Sequence, residues 1–246
     1  MTPVLVAHRG YMEKYPENSL SAIRAALDAG ACMVEFDVQM DALAQLVLLH
    51  DDNLKRTAGL STSVFKQSDY SGISVHEPKR LGNVFDPEPV PTLLQALELI
   101  QHYPAATAFV EIKDESIQYW GLEKVVDEVL SCIGHVQQQY VIISDSLDAL
   151  RYIKNKSGIR LGWVIHRYDD NHHELAARLE PDYMICNYRR IDKELWQGSW
   201  QWMLYDITDP ELALQWAEKG AGLVETGDIG GMLQHPVLKQ CACHHL

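Results

Sequence analysis

Eight short apolar runs, separated by segments with helical periodicity, constrain the fold of this chain more than any other feature. Short apolar runs bounded by polar breaks are typical of strands buried on both faces of a parallel sheet. Eight strands, each followed by a helix within 246 residues, match the dimensions of a (β/α)₈ barrel, or TIM barrel. The predicted strands are Val4–Ala7, Met33–Val38, Ala108–Ile112, Tyr140–Ser144, Leu161–Ile165, Tyr183–Cys186, Trp202–Tyr205 and Leu223–Glu225.

The segments between these runs carry signals for the starts and ends of helices. Asn18 or Ser19 is placed to cap the first helix, and Gly30 is placed to end it. An open doubly wound sheet is the alternative fold, and it would usually show a glycine-rich phosphate loop after its first strand. The residues His8-Arg9-Gly10 follow the first strand instead of such a loop, so the α/β barrel is the preferred prediction.

One segment interrupts the alternation of strands and helices. Leu46–Leu49 is a further strand that follows Val38 too closely for a parallel crossover, so it is predicted to fold back as a hairpin. Residues 51–91 are polar with little periodicity, and a loop of this length is usually functional. We therefore predict one domain, residues 1–246, with a small insertion after the second strand that covers the mouth of the barrel.

Charge and hydropathy exclude several classes of function. The formal net charge of −13 opposes sequence-independent binding to nucleic acid and attraction to anionic membrane surfaces. The first residues, MTPVLVAHRG, contain no basic and then apolar leader, and no stretch approaches about eighteen uninterrupted apolar residues. These observations predict a cytoplasmic protein without stable membrane association.

The cysteines are scattered and odd in number, which favours reduced thiols and supports the same location. The tail from Cys241 to His245 contains residue types that bind metals, but it has no second half-site. A frayed chain end is therefore the preferred interpretation of the tail. The cysteines are Cys32, Cys132, Cys186, Cys241 and Cys243.

Two carboxylates lie near the end of the second predicted strand. Glu35 and Asp37 are two residues apart, so their side chains share one face, and their apolar neighbours imply burial. Buried paired carboxylates need a compensating cation or proton. Glu111 closes the next barrel strand, and its carboxylate is expected at the same rim. Three carboxylates without a nearby cysteine select a hard cation, either Mg²⁺ or Ca²⁺.

Two histidines follow apolar strands directly. His8 comes after Val4–Ala7, and His50 comes after Leu46–Leu49. Imidazole titrates near neutral pH, so one ring can take a proton while the other gives one. Either histidine could be the acid or the base.

Two basic side chains accompany these groups, and each has two possible roles. Arg9 either binds a phosphate through its planar guanidinium or holds Glu17 in place. Lys113 shares the strand face of Glu111 and either pairs with that carboxylate or binds a phosphate oxygen. Together the seven groups indicate metal-assisted attack on an anionic phosphate ester.

The ordered set of motifs resembles the glycerophosphodiester phosphodiesterase family. The similarity covers nearly the whole chain, and the order of the motifs is more specific than any one of them. The motifs are His8-Arg9-Gly10, Pro16-Glu17-Asn18-Ser19, Glu35-x-Asp37-Val38, His50-Asp51, Arg56-Thr57, Pro91-Thr92-Leu93, Glu111-x-Lys113 and Glu225-Thr226-Gly227-Asp228.

This resemblance implies a TIM barrel with a small insertion after the second strand. It implies hydrolysis of a small deacylated phospholipid, such as glycerophosphocholine or glycerophosphoethanolamine, to glycerol 3-phosphate and an alcohol. It also implies three roles at the rim: a divalent cation, Mg²⁺ or Ca²⁺, held by Glu35, Asp37 and Glu111, acid–base catalysis by His8 and His50, and phosphate binding by Arg9 and Lys113.

Two alternative functions are weighed against this one. A related phospholipase-type phosphodiesterase would need an exposed apolar or basic surface for membranes, which the acidic charge disfavours. A non-catalytic barrel that binds a phosphorylated ligand would not need both His8 and His50, because binding alone requires no proton donor and acceptor.

Overall fold

Eight parallel strands close into a barrel in the computed structural model, which describes residues 2–82, 87–134 and 139–243. The strands are β1 (Val4–Ala7), β2 (Met33–Met40), β3 (Leu46–Leu48), β4 (Ser74–Val75), β5 (Glu88–Pro89), β6 (Thr107–Ile112), β7 (Tyr140–Ser144), β8 (Arg160–Ile165), β9 (Tyr183–Asn187), β10 (Gln201–Tyr205) and β11 (Ala221–Thr226). The helices are α1 (Leu20–Asp28), α2 (Lys55–Ala58), α3 (Pro78–Leu81), α4 (Leu93–Gln101), α5 (Asp114–Trp120), α6 (Leu122–Ile133), α7 (Leu147–Lys156), α8 (Asp170–Leu179), α9 (Pro210–Glu218) and α10 (Ile229–Met232).

The barrel closes because β1 pairs in parallel with both β2 and β11. The remaining barrel strands follow in the order β10, β9, β8, β7 and β6 between β11 and β2. All eight predicted runs lie in these strands, so the predicted TIM barrel is confirmed. Closure brings the carboxyl ends of the strands to one rim, as in other barrels of this kind.

The core has two layers, as expected for a barrel wrapped by helices. Inside the barrel, buried side chains such as Phe109, Ile143 and Met203 fill the lumen. Outside it, a larger apolar layer joins the strands to the helices. Gly162 on β8 faces the lumen, where an added Cβ would lie 2.7 Å from Ile143 Cγ2. The lumen is therefore a packed floor below the rim.

Side-chain caps begin helices α1 and α4, and the sequence predicted the first of them. Ser19, one of the two candidates, caps α1 by accepting a hydrogen bond from the backbone of Ala22. Thr92 and Gln95 form a capping box at the start of α4. Among the described residues, every helix is too short or too polar to span a bilayer.

The prediction of a helix after every strand is wrong between β9 and β10. Residues 188–190 form one 3₁₀ turn, and the described chain from 191 to 200 contains no helix. Aromatic packing takes the place of the helix here. The ring of Trp196 stacks on Tyr168 with centroids 4.1 Å apart, and Trp200 is buried. These large side chains cover the apolar strand face that a helix would otherwise cover.

The hairpin after β2 is confirmed, because β3 runs antiparallel to β2 with Val38 opposite Leu48. The insertion that follows has α2, α3 and the β4–β5 pair, together with a small core around Leu54 and Val64. Residues 83–86 of the insertion lie outside the described part of the chain.

The expectation of five reduced thiols is wrong, because Cys32 and Cys243 form a disulfide across 211 residues of sequence. The backbone N–H of Cys243 also donates to the carbonyl of Gly30. The tail is therefore attached to the barrel up to residue 243, contrary to the frayed end that we expected. Pairing depended on tertiary proximity, which an odd cysteine count does not reveal. His244 and His245 lie outside the described residues.

Candidate active site

The predicted side chains come together at one end of the barrel. Glu35, Asp37 and Glu111 each place a carboxylate oxygen within 4.8 Å of the others. The remaining predicted residues border a cavity of about 150 Å³ beside this cluster, and Glu111 belongs to both. The cavity wall includes His8, Arg9, His50, Glu111 and Lys113.

Strand register explains this convergence. β2 and β6 pair so that Asp37 lies opposite Glu111. β1 pairs with β2 so that His8, the residue after β1, reaches the level of Glu35. The Nε2 atom of His8 lies 3.9 Å from Oε2 of Glu35. The three strands therefore deliver an imidazole and three carboxylates to adjacent positions.

The turn after β1 is shaped by its backbone. Arg9 adopts a left-handed conformation with φ of 50°, and its N–H donates to Glu35 Oε2 at 3.0 Å. Gly10 follows with φ of +76°, and an added Cβ would lie 2.5 Å from the backbone carbon of Ala22. No other residue fits this position without displacing α1. Such strain is typical of functional sites.

Asp37 is held as an anion. Nε of Arg9 lies 3.1 Å and Nζ of Lys113 lies 3.5 Å from its carboxylate oxygens. Asn18 donates from its side-chain amide to Oδ2 at 2.9 Å and accepts from the backbone of Asp37. Although burial opposes ionisation, the charges of Arg9 and Lys113 lower the pKa of Asp37 below its ordinary value.

Glu35, in contrast to Asp37, lies among groups that disfavour its ionised form. Burial raises its pKa, and so do the charges of Asp37, Glu225 and Glu111. Its Oε1 atom is buried without a hydrogen-bond partner among the described residues. A divalent cation fits this place, because it would satisfy the unpartnered oxygen and offset the repulsion between carboxylates. The all-oxygen donor set suits a hard cation.

The two histidines have different surroundings. Burial and then the charge of Arg9 lower the pKa of His8 to about 3, which leaves its imidazole neutral at pH 7. His50 is more exposed, and its Nδ1 lies 2.8 Å from Oδ1 of Asp51. That hydrogen bond, together with Arg56, lowers the pKa of the Asp51 carboxyl, so the carboxylate accepts the Nδ1 proton of His50.

Arg9 and Lys113 already have carboxylate partners. Nη1 of Arg9 donates to Glu17 at 2.9 Å, and Nζ of Lys113 donates to Glu111 at 2.8 Å. Arg56 from the insertion also donates to Glu17, at 2.7 Å. Arg9 and Lys113 therefore both make the carboxylate pairing that was one of the two roles expected from the sequence. The other role, contact with a substrate phosphate, stays a prediction.

Sequence reasoning assigned no role to Glu225, which the structure brings into the site. Glu225 is 4% exposed, and a carboxylate oxygen of it lies within 4.8 Å of ligand atoms of His8 and Glu35. The available signal was its position near the end of the last strand, at the same level of the barrel as the other rim residues. That position predicts that Glu225 lies at the rim, but it does not predict which residues Glu225 contacts there.

Comparison with known proteins agrees with this architecture. The family model described as the glycerophosphoryl diester phosphodiesterase family matches residues 8–197. The chain belongs to that family. A glycerophosphodiester phosphodiesterase from Caldanaerobacter subterraneus subsp. tengcongensis is 27% identical over 205 residues, which cover 80% of this chain and 81% of that protein. The family and the fold support an enzyme that hydrolyses glycerophosphodiesters.

Solved structures share the fold. The Oleispira antarctica phosphodiesterase, solved with the product sn-glycerol-3-phosphate, has a TM-score of 0.83 and 22% identity, covering 95% of this chain and 96% of that one. The glycerophosphodiester phosphodiesterase of Thermotoga maritima has a TM-score of 0.72 and 22% identity, covering 95% and 98% of the two chains. Each of these similarities covers 95% of this chain.

Proposed function

We propose that the chain, residues 1–246 acting as one domain, hydrolyses small glycerophosphodiesters to glycerol 3-phosphate and an alcohol, using a divalent cation and two histidines. The observation that carries this proposal is the position of His8 and His50 on the wall of one cavity beside the three-carboxylate cluster. Acid–base groups supply about 10²–10⁴ in rate, and phosphate esters need far more. A cation site beside both imidazoles would supply the difference.

Glu35, Asp37 and Glu111 would hold the cation, Mg²⁺ or Ca²⁺, through carboxylate oxygens. When bound, it would neutralise phosphate charge and favour attack at phosphorus. The residues around the carboxylates keep them in place. Asn18 fixes Asp37 through two hydrogen bonds, and the backbone of Arg9 fixes Glu35 through one.

We assign the proton-accepting role to His8. Its imidazole is neutral at pH 7, because burial and the charge of Arg9 lower its pKa to about 3. A neutral imidazole has a free lone pair and can take the proton of the nucleophile, which is water or the 2-hydroxyl of the glycerol. Approach of the anionic phosphate would favour the protonated form that results.

We assign the proton-donating role to His50. Its Nδ1 proton is held by Asp51 at 2.8 Å, which fixes the orientation of the ring. In the doubly protonated ring, the opposite nitrogen, Nε2, is the atom that gives a proton to the leaving alcohol. Arg56 holds Asp51 from the other side, so the insertion contributes to the position of this ring.

Arg9 and Lys113 would bind the substrate phosphate. Both border the cavity, and each is a multiple donor that keeps further N–H groups after its carboxylate contacts. The product complex of the Oleispira antarctica phosphodiesterase supports a glycerol phosphate ligand for this class of barrel.

The cytoplasmic location stays a prediction, and the Cys32–Cys243 disulfide weakens it, because disulfides persist in oxidising compartments.

The test is release of glycerol 3-phosphate from a panel of glycerophosphodiesters, measured with and without a chelator. We expect activity that a chelator abolishes, and a loss of about 10²–10⁴ in turnover for His50→Ala. His166→Ala is the matched control, because His166 lines the same cavity and has no proposed role. Activity that survives complete removal of metal, or near-normal turnover of His50→Ala, would refute the proposal.

A further inference from the structure

A second cluster of ligand atoms lies beside the three-carboxylate site. His8, Glu35 and Glu225 each place a ligand atom within 4.8 Å of the other two. They come from the barrel strands β2 and β11 and from the end of β1, which lies between these two strands. Glu35 belongs to both clusters, so the two positions are neighbours that share one carboxylate. Shared carboxylates of this kind occur between the two metals of phosphoryl-transfer sites.

The second cluster contains two buried oxygens that no protein group in the described part of the chain satisfies. Oε1 of Glu225 is buried and has no hydrogen-bond partner in the part of the chain that the structure describes, and Oε1 of Glu35 is in the same state. Glu225 is 4% exposed and borders the cavity. A buried carboxylate oxygen without a partner carries a large desolvation cost. A cation bound between these groups would remove that cost.

The donor set differs in chemistry from that of the first site. Three carboxylates favour hard cations such as Mg²⁺ and Ca²⁺. One imidazole with two carboxylates favours borderline cations, of which Zn²⁺ binds nitrogen and oxygen ligands at about 2.0–2.2 Å. The separation of 3.9 Å between Nε2 of His8 and Oε2 of Glu35 requires only small side-chain rotations to meet such a cation.

We propose that His8, Glu35 and Glu225 form a second divalent-cation position that takes Zn²⁺, and that a cation bound there inhibits the enzyme. The inhibition rests on the proposed function, because the lone pair that binds the cation is the one with which His8 accepts a proton. Binding itself is independent of that function. The second position would thus make turnover sensitive to the zinc concentration while the first position carries its own cation.

The binding test is isothermal titration of Zn²⁺ into the protein saturated with Ca²⁺. We expect Glu225→Gln to weaken one Zn²⁺ equivalent at least tenfold. Asp206→Asn is the matched control, since Asp206 lies on the same cavity wall but outside both clusters, and it should bind like the wild type. Any Zn²⁺ bound elsewhere on the chain is common to all three proteins and cancels from the comparison. Thermal unfolding without metal checks that Glu225→Gln is folded.

The inhibition test is turnover of a glycerophosphodiester with saturating Ca²⁺ and increasing Zn²⁺. We expect the Zn²⁺ concentration that halves the rate to rise at least tenfold in Glu225→Gln. Equal Zn²⁺ affinity in Glu225→Gln and wild type would overturn the site, and zinc that binds there but increases turnover would overturn the inhibition. The Ca²⁺-supported rate without Zn²⁺ tests the proposed function separately, so the two failures are distinguishable.

Discussion

Replacing Glu35 with Gln tests the electrostatics of the rim, because this side chain belongs to both cation clusters. Glu35 is 2% exposed, and burial together with three neighbouring carboxylates raises its pKa. Without a cation, ionised Glu35 therefore destabilises the fold. The substitution removes one negative charge and nearly preserves the shape. We expect the metal-free variant to be at least as stable as the wild type at pH 8.

The same substitution should remove most of the stabilisation that a cation provides. A ligand present at 100 times its Kd stabilises the native state by about 2.7 kcal/mol. For a domain of this size, that free energy corresponds to an increase in Tm of about 5–11 °C. If Glu35→Gln weakens the affinity about a hundredfold, about 0.4 kcal/mol remains at the same Ca²⁺ concentration. The increase in Tm then falls to about 1–2 °C.

The pH dependence has a defined sign. A carboxyl whose pKa is raised in the native state keeps its proton there at pH values where the unfolded chain has lost it. The unfolded state then binds fewer protons, so the stability of the metal-free protein falls as pH rises through the raised pKa. Protons also compete with the cation for Glu35, so the Ca²⁺-dependent increase in Tm should grow with pH.

The assay is differential scanning calorimetry of wild type and Glu35→Gln, with Ca²⁺ or with chelator, at pH 6 and pH 8. Asp206→Asn is the control, because it removes one charge at the same rim outside the clusters. It should keep the full Ca²⁺-dependent increase in Tm. An equal increase in Glu35→Gln and wild type would refute the assignment of Glu35 as a ligand.

Three further predictions concern other parts of the structure. Asp51→Asn should lower kcat at least tenfold with little change in KM, because the hydrogen bond that holds His50 is altered. Steady-state kinetics measure both constants, and a change confined to KM would contradict this prediction. Gly162→Ala should cost about 1–3 kcal/mol in urea unfolding, since its Cβ would lie 2.7 Å from Ile143 Cγ2, and an unchanged midpoint would show that the lumen relaxes freely. Cys243→Ser should cost about 2–5 kcal/mol and make Tm insensitive to reductant; a wild type insensitive to reductant would contradict the disulfide.

The sequence by itself determined the barrel and most of its rim. Strand and helix periodicity is a local property. The spacing of apolar residues within one short segment determines which face of that segment packs against the core. For the same reason, the position of Glu35 and Asp37 on one face could be predicted from their spacing. The capping role of Ser19 is equally local, since its side chain bonds the backbone three residues on.

Only the tertiary structure decided which distant groups became neighbours. Glu225 meets His8 because β1 pairs with the last strand when the barrel closes, and no local pattern encodes that distance. Cys243 meets Cys32 for the same reason, across 211 residues. The replacement of a helix by stacked aromatic rings after β9 also depends on packing partners far away in sequence. Local patterns fix where side chains point, whereas closure of the barrel fixes what they meet.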